Sequence, residues 1–223
     1  MMINDLKKLF NENAYFFVPY LTFLAAGGYL LLTLNKGDFL LWLNSRNNPA
    51  LDIFFKYATY FGDGLIICIA TILLLIFYKA RYSLFAFLGY GTSGILAQII
   101  KRIANTPRPK LFFAETAHLH FVEGVSIFSY NSFLSGHSAS AFSFFLVMSI
   151  ITKDKTLGVF YFFAALLVAL SRVYLAQHFF VDIYFGSILG VLFTIIVYIP
   201  LNRSKKLWMD KSLIKILQGK SSE

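Results

Sequence analysis

The sequence predicts an all-α, polytopic membrane protein: a bundle of six transmembrane helices with interfacial helices in its outer loops. Three observations predict it. The first is composition. Of 223 residues, 58% are hydrophobic and 14% charged, with 26 Phe and 13 Tyr, against roughly half apolar and a quarter charged in soluble domains. The second is a set of apolar stretches at about 14–34, 62–79, 82–101, 135–151, 157–175 and 179–199, where a spanning helix needs about 17–25 residues. The third is that basic residues gather in short segments between these stretches, as they do beside lipid headgroups. Backbone groups in lipid must be bonded within the protein, and strand-like alternation is absent, so the spans are helices rather than barrel strands.

Taken in order, "MMINDLKKLF" runs toward the first span without a small-residue cleavage site and reads as a retained anchor. The connection over 35–61 carries Leu40, Leu41, Trp42, Phe54, Phe55 and Tyr57, which suits helices lying at the interface. Asp63, between Gly62 and Gly64, is placed to cap the second span. Cys68 is the single cysteine, which excludes an internal disulfide. "YKARYS" and "TKDKT" are tight basic turns after the second and fourth spans. "GYGTSG" at 89–94 in the third span, and Gly186 with Gly190 in the sixth, read as faces of close helix approach. The largest connection, about 102–134, is aromatic; Phe112, Phe113, Phe121, Phe128 and Phe133 suit either a wall beside lipid tails or a loop resting on the bilayer. His118, His120 and Glu123 in it lack a fourth ligand and make a weak metal signal. The tail over 201–223 is a surface helix or a solvated tail. Residues 1–223 form one domain, with its core at about 82–199.

The net charge of +9 raises a nucleic-acid partner, but no zinc finger, RNA-binding signature or long basic stripe accompanies it. Charge instead orients the chain. With both termini in the cytoplasm, Lys7, Lys8, Lys79, Arg81, Lys153, Lys155, Arg203, Lys205, Lys206, Lys211, Lys215 and Lys220 face inward, 12 of the 20 Lys and Arg. This agrees with the positive-inside tendency. Lys36, Arg46, Lys56, Lys101, Arg102, Arg108, Lys110 and Arg172 then lie outside. The expected home is a cytoplasmic (inner) membrane, with the site on its outer face.

Helix parity brings three clusters to that face: "KRIANTPRP" at 101–109, "LSGHSAS" at 134–140 and "SRVYLAQHFFVD" at 171–182. Their chemistry is complementary. Lys101, Arg108 and Arg172 are cations for phosphoryl oxygens, and arginine presents a rigid fork to two of them. Ser135 offers a hydroxyl, and Gly136 a backbone N–H at a helix start. His178 and Asp182 are four apart, so in a helix they share a face, and the carboxylate can hold one imidazole nitrogen while the other attacks phosphorus. His137 can protonate the leaving oxygen and then activate water. The three cations supply the positive charge, so neither metal nor cofactor is called for. Each piece alone has a structural reading: Lys101, Arg102 and Arg172 as snorkelling anchors, Pro107 and Pro109 as loop-shaping residues, Ser135 as a helix cap. An intramembrane His–Asp pair is by default functional.

These motifs resemble those of the type 2 phosphatidic acid phosphatase superfamily, membrane lipid phosphatases related to vanadium haloperoxidases. That family carries a lysine, six residues, then Arg-Pro, matched by Lys101, Arg108 and Pro109. Its Pro-Ser-Gly-His reads Leu134, Ser135, Gly136, His137 here, so Leu134 departs from the pattern. Its Ser-Arg, five residues, His, three residues, Asp is matched by Ser171, Arg172, His178 and Asp182. The resemblance implies a phosphohistidine on His178, with His137 as the acid. It implies phosphate held by Lys101, Arg108, Ser135, Gly136 and Arg172, and a lipid phosphate or pyrophosphate as substrate. Phosphatidic acid, phosphatidylglycerol phosphate, undecaprenyl pyrophosphate and lipid A all fit; the motifs choose neither among these nor an oligomeric state. A phosphotransferase to a second lipid uses the same groups. A transporter of anionic lipid should place charge near mid-membrane, whereas this chain places it at one end of its spans. A catalytically dead binder has no need of both histidines and the aspartate.

Overall fold

The computed structural model describes residues 2–218; Lys220 and the rest of the extreme C-terminus lie outside them. The helices are α1 (Met2–Glu12), α2 (Ala14–Thr33), α3 (Asp38–Asn44), α4 (Pro49–Ala58), α5 (Gly64–Phe77), α6 (Ala80–Ala104), α7 (Pro109–Phe112), α8 (Gly136–Ile151), α9 (Gly158–Tyr174), α10 (Phe180–Arg203) and α11 (Leu213–Gln218). Local chemistry sets several of their starts. Asn48 accepts from Leu51 N and precedes Pro49 at the first helical position of α4. Asp63 accepts from Leu65 N at 2.8 Å, the cap expected for the next helix. Ser135 accepts from Ser138 N at the start of α8. Gly37 adopts φ +105°, which a side chain would strain, where the chain turns from α2 into α3.

The fold is that of an all-α polytopic membrane protein. Four segments are long and apolar enough to cross a bilayer: Ala14–Thr33, Ala80–Phe112, Lys155–Tyr174 and Phe180–Arg203. Pro49–Gly62 and Gly64–Phe77 make a fifth only if taken as one span, bent by 52° at the break. Gly136–Ile151 is apolar but has 16 residues. The stretches expected at 62–79 and 135–151 are thus the two that fall short, each trimmed by a polar cap: Asp63 for α5 and Ser135 for α8. The N-terminal segment also differs from expectation. It forms a separate helix, α1, which ends where the Asn13 side chain bonds back to Leu9 O at 2.9 Å.

The core is aromatic. Phe16, Tyr20, Phe23, Phe142, Phe162, Phe180 and Tyr184 pack with ring centroids 5.6–6.4 Å apart, joining α2, α8, α9 and α10. Helix α8 lies at the centre, against α6, α9 and α10. Its approach to α10 is close because Gly186 and Gly190 carry no side chains: a Cβ on Gly186 would stand 2.6 Å from Ser135 O, and one on Gly190 would collide with Ala139 O. In α6 only part of the small-residue run serves packing. Gly89 faces Ser143 and Thr194, but a Cβ on Gly91 or Gly94 would meet nothing within 4 Å. At the start of α6, Arg81 bonds Asp210 and the carbonyls of Leu201 and Ser204, and Ala80 N donates to Lys211 O, fastening the C-terminal segment to the bundle.

Candidate active site

One cleft of about 620 Å³ is lined by Lys101, Arg108, Gly136, His137, Arg172 and His178, so the three sequence clusters do converge. Lys101 comes from the last turn of α6, Arg108 from the residue before α7, Gly136 and His137 from the first turn of α8, and Arg172 from the last turn of α9. Lys101 Nζ lies 3.8 Å from where a Cβ on Gly136 would sit, so the absent side chain leaves the ammonium open to the helix start. Backbone N–H groups in a first turn have no intrahelical partner. Gly136 and His137, in that first turn, line the cleft beside a cation.

His178 is not on a helix. It sits in the short link between α9 and α10, two residues before Phe180 begins α10. The expectation that His178 and Asp182 share one helical face is corrected accordingly. Asp182 is in the first turn of α10, where its Oδ2 accepts from Phe179 N at 2.9 Å and so caps the helix. The same oxygen lies 3.3 Å from His178 Nδ1 and accepts from Ser132 Oγ at 2.5 Å. The pair is made by a turn that folds the imidazole back onto the cap. The His178 backbone N–H, donating to Arg172 O at 3.1 Å, fixes that turn. Both side chains are buried, His178 at 1% exposure and Asp182 at 2%. Burial, reinforced by Lys101, Arg108 and Arg172, pushes the imidazole pKa well below its ordinary value, so the ring is neutral.

The arginines are held by neutral groups. Arg108 donates to Tyr130 O at 2.9 Å, to Gln177 Oε1 at 3.1 Å and to Gln177 O at 3.3 Å, with Phe128 stacked 5.1 Å from its guanidinium. Gln177 is itself held by a bond from Nε2 to Ser126 O at 2.8 Å. Arg172 donates to Thr59 Oγ1 at 2.8 Å, while its Nε is the one buried side-chain nitrogen or oxygen without a partner among the described residues. No carboxylate pairs with Lys101, Arg108 or Arg172 among those residues, although each is about nine-tenths buried. Ser135 and Asp182 stand behind the lining rather than in it. The Ser135 hydroxyl is occupied in the cap and in a 2.9 Å bond with Ser138 Oγ, and Ser135 N donates to Asp182 O.

Four contributors escape sequence reasoning: Thr59, Ser132, Gln177 and Asn44. The first three hold Arg172, Asp182 and Arg108. Asn44 ties Tyr174 O, at the end of α9, to His120 O and N. All are neutral side chains in loops or short helices, where only their contacts distinguish them. Position gives one signal: Gln177 immediately precedes His178. The weak metal reading is overturned. His120 Nε2 lies 2.8 Å from Asp52 Oδ2, whose other oxygen accepts from Tyr174 OH at 2.6 Å. Among the described residues no three of His, Cys, Asp and Glu gather as a ligand set.

The chain is similar to known membrane proteins in sequence pattern and fold. The profile of the PAP2 superfamily matches residues 82–206, more than half of the chain. The crystal structure of Aquifex aeolicus LpxE superposes with a TM-score of 0.64 at 26% identity, over 73% of this chain and 93% of that one. That of the PAP2-type phosphatidylglycerolphosphate phosphatase from Bacillus subtilis superposes with a TM-score of 0.61 at 24% identity, over 88% and 98%. No curated protein matches the chain in sequence.

Proposed function

The chain belongs to the PAP2 superfamily, and from that premise we propose that this membrane lipid phosphatase passes the phosphoryl group of its substrate through His178. One observation carries the reading. Three buried cations with no carboxylate paired to them among the described residues, one of them with an unbonded Nε, surround a buried imidazole. Such an arrangement costs folding free energy unless an anion completes it, and a phosphate does.

Lys101, Arg108 and Arg172 hold the equatorial oxygens with the Gly136 N–H, and Ser135 keeps that N–H aimed by capping α8. Asp182 accepts a hydrogen bond from Nδ1–H, which leaves Nε2 as the nucleophile. Attack in line forms the P–N bond and breaks the P–O bond to the lipid. His137 delivers a proton to the departing oxygen. In the second step His137 takes a proton from water. The water oxygen bonds to phosphorus, the P–N bond breaks, and inorganic phosphate leaves. Phosphatidic acid, phosphatidylglycerol phosphate, undecaprenyl pyrophosphate and lipid A phosphates present the same group to this cleft. A second lipid taking the place of water gives a phosphotransferase.

The architecture completes the reading. We infer six spans in one domain over 1–223, with α5 and α8 as short spans and α3, α4 and α7 at the interface. The termini are cytoplasmic and the cleft opens on the outer face of the inner membrane. The test is phosphate release from a panel of lipid phosphates by purified, chelator-treated protein. Wild type is expected to release phosphate, and His178→Ala to lose at least about a thousandfold. Near-full activity in that folded variant would remove the nucleophile from the mechanism.

A further inference from the structure

The connection between α7 and α8 does more than cross the top of the bundle. Its second half bonds the groups that build the phosphate cradle. Ser126 O accepts from Gln177 Nε2 at 2.8 Å, Ser129 O from Arg108 N at 2.9 Å and Tyr130 O from Arg108 Nε at 2.9 Å, while Ser132 Oγ donates to Asp182 Oδ2. Residues 126–132 form neither helix nor strand. No regular ladder of backbone bonds fixes them, so Arg108 is only as well placed as the loop around it.

That loop is fastened at its first half, outside the cleft, on α4. His120 Nε2 lies 2.8 Å from Asp52 Oδ2, and one turn along α4 Lys56 Nζ donates to Glu123 O at 2.7 Å. The other oxygen of Asp52 accepts from Tyr174 OH at 2.6 Å, a length typical of a strong bond to a charged acceptor. Tyr174 is the last residue of α9, two after Arg172 and four before His178, and it is fully buried. Its ring stacks on Phe55 of α4 with centroids 4.3 Å apart. One carboxylate therefore joins two segments that approach the site separately: the loop that holds Arg108 and the helix end that carries Arg172. Asp52, His120 and Tyr174 are all absent from the cleft lining.

We propose that Asp52 is a positioning residue for the phosphate cradle, acting through His120 on the loop that orients Arg108 and through Tyr174 on the end of α9 that carries Arg172. This rests on the phosphatase reading and adds a residue to it. No bond is made or broken at Asp52. Its contribution is to aim two guanidinium groups before the substrate arrives, so that binding does not have to order them. Its loss is felt by the phosphate group itself, whatever lipid carries it.

The test measures kcat and KM for phosphate release from dioleoyl phosphatidic acid, and the inhibition constant of inorganic phosphate, for the full chain in detergent micelles. Asp52→Ala should lower kcat/KM by about tenfold to a hundredfold and raise the inhibition constant of phosphate by about tenfold. Asp52→Asn, which can still accept from Tyr174 and donate to His120, should recover most of both losses. His120→Ala breaks one arm only and should lose less, and adding it to Asp52→Ala should cost little more, since the two share one interaction. The His120 side chain is 32% exposed, so that variant carries the test if Asp52→Ala does not fold. A folded variant that is less heat-stable yet keeps kcat/KM and the inhibition constant within about twofold of wild type makes the clasp structural only, and overturns the proposal while leaving the phosphatase standing. A wild type that releases no phosphate from any lipid phosphate sinks the phosphatase reading itself, and this role with it.

Discussion

At the residue scale, the cleft crowds positive charge around a buried imidazole that the proposed mechanism needs uncharged. The imidazole of His178 is buried, and three cations face it, so its folded pKa lies well below the ordinary 6.5. The sign follows directly. On the proposed mechanism the neutral ring is the nucleophile, so activity on this limb is expected above the folded pKa and lost as pH falls through it, in a window below 6.5. Lys101 is the largest of the three charge contributions, second only to burial. Lys101→Met should weaken catalysis and also move the acid limb of kcat/KM to higher pH, read by comparing pH profiles of the two proteins on one substrate. An unmoved limb would mean that another group sets it. Gln177 tests positioning rather than chemistry. Its Oε1 and carbonyl hold Arg108, and it is buried at 1% exposure. Gln177→Leu should raise KM by about tenfold with a smaller change in kcat, while Gln177→Glu, which keeps the acceptor, restores part of the binding. Charged groups at motif spacing were legible from sequence. Thr59, Ser132 and Gln177 were not, because a neutral side chain acquires its role from a partner more than twenty residues away.

At the element scale, what positions the site is the seam between α8 and α10. Asp182 caps α10, Ser135 caps α8, and Ser135 N donates to Asp182 O, so the starts of the two helices are tied together. Gly186 and Gly190 let the helices lie close enough for that tie. The obstructing atoms are backbone carbonyls of α8, which cannot rotate away as a side chain can. Gly190→Val should therefore cost about 1–3 kcal/mol, seen as a lower midpoint of thermal inactivation in detergent. Gly91→Ala, over open space, should instead hold or raise that midpoint, since alanine favours a helix over glycine by up to about 1 kcal/mol. Equal effects at both positions would contradict the packing assigned to each. The sequence alone treats the glycines of α6 and α10 alike. Small residues at helical spacing show that something approaches closely or that space is kept, and only the neighbours decide which. The same limit explains His178. Spacing of four from Asp182 suggests a helical pair, whereas a cap and a turn bring the two together just as well.

At the scale of the whole molecule, the two ends of the bundle carry different chemistry. Along α6, Arg81 at one end and Lys101 at the other are separated by about 30 Å of helix. The Lys101 end gathers cations that pair with no carboxylate among the described residues. The Arg81 end ties down the C-terminal segment through Asp210, whose carboxyl Arg81 holds below the usual range. That tie is present above the ordinary carboxylate pKa and lost as pH falls through the lowered one, and its exposure keeps its contribution small. The short turn with Lys153 and Lys155, between α8 and α9, belongs to the Arg81 end because α8 begins at the cleft and runs away from it. The positive-inside tendency favours the cytoplasm for that end, with its basic turns and basic tail, and on the proposed orientation the cleft faces outward. Glu115, beyond α7 and on the cleft side, and Lys153 are both exposed, and Cys68 is the single native thiol. In a Cys68→Ser background, Glu115→Cys should react with a membrane-impermeant thiol reagent added to intact cells. Lys153→Cys should react only after the membrane is opened. The reverse labelling would turn the bundle over and place lipid phosphate hydrolysis on the cytoplasmic leaflet, leaving the cleft's internal geometry as described. Labelling of both positions in intact cells would mean that residues 115 and 153 share one face, and that the short helix α8 does not cross.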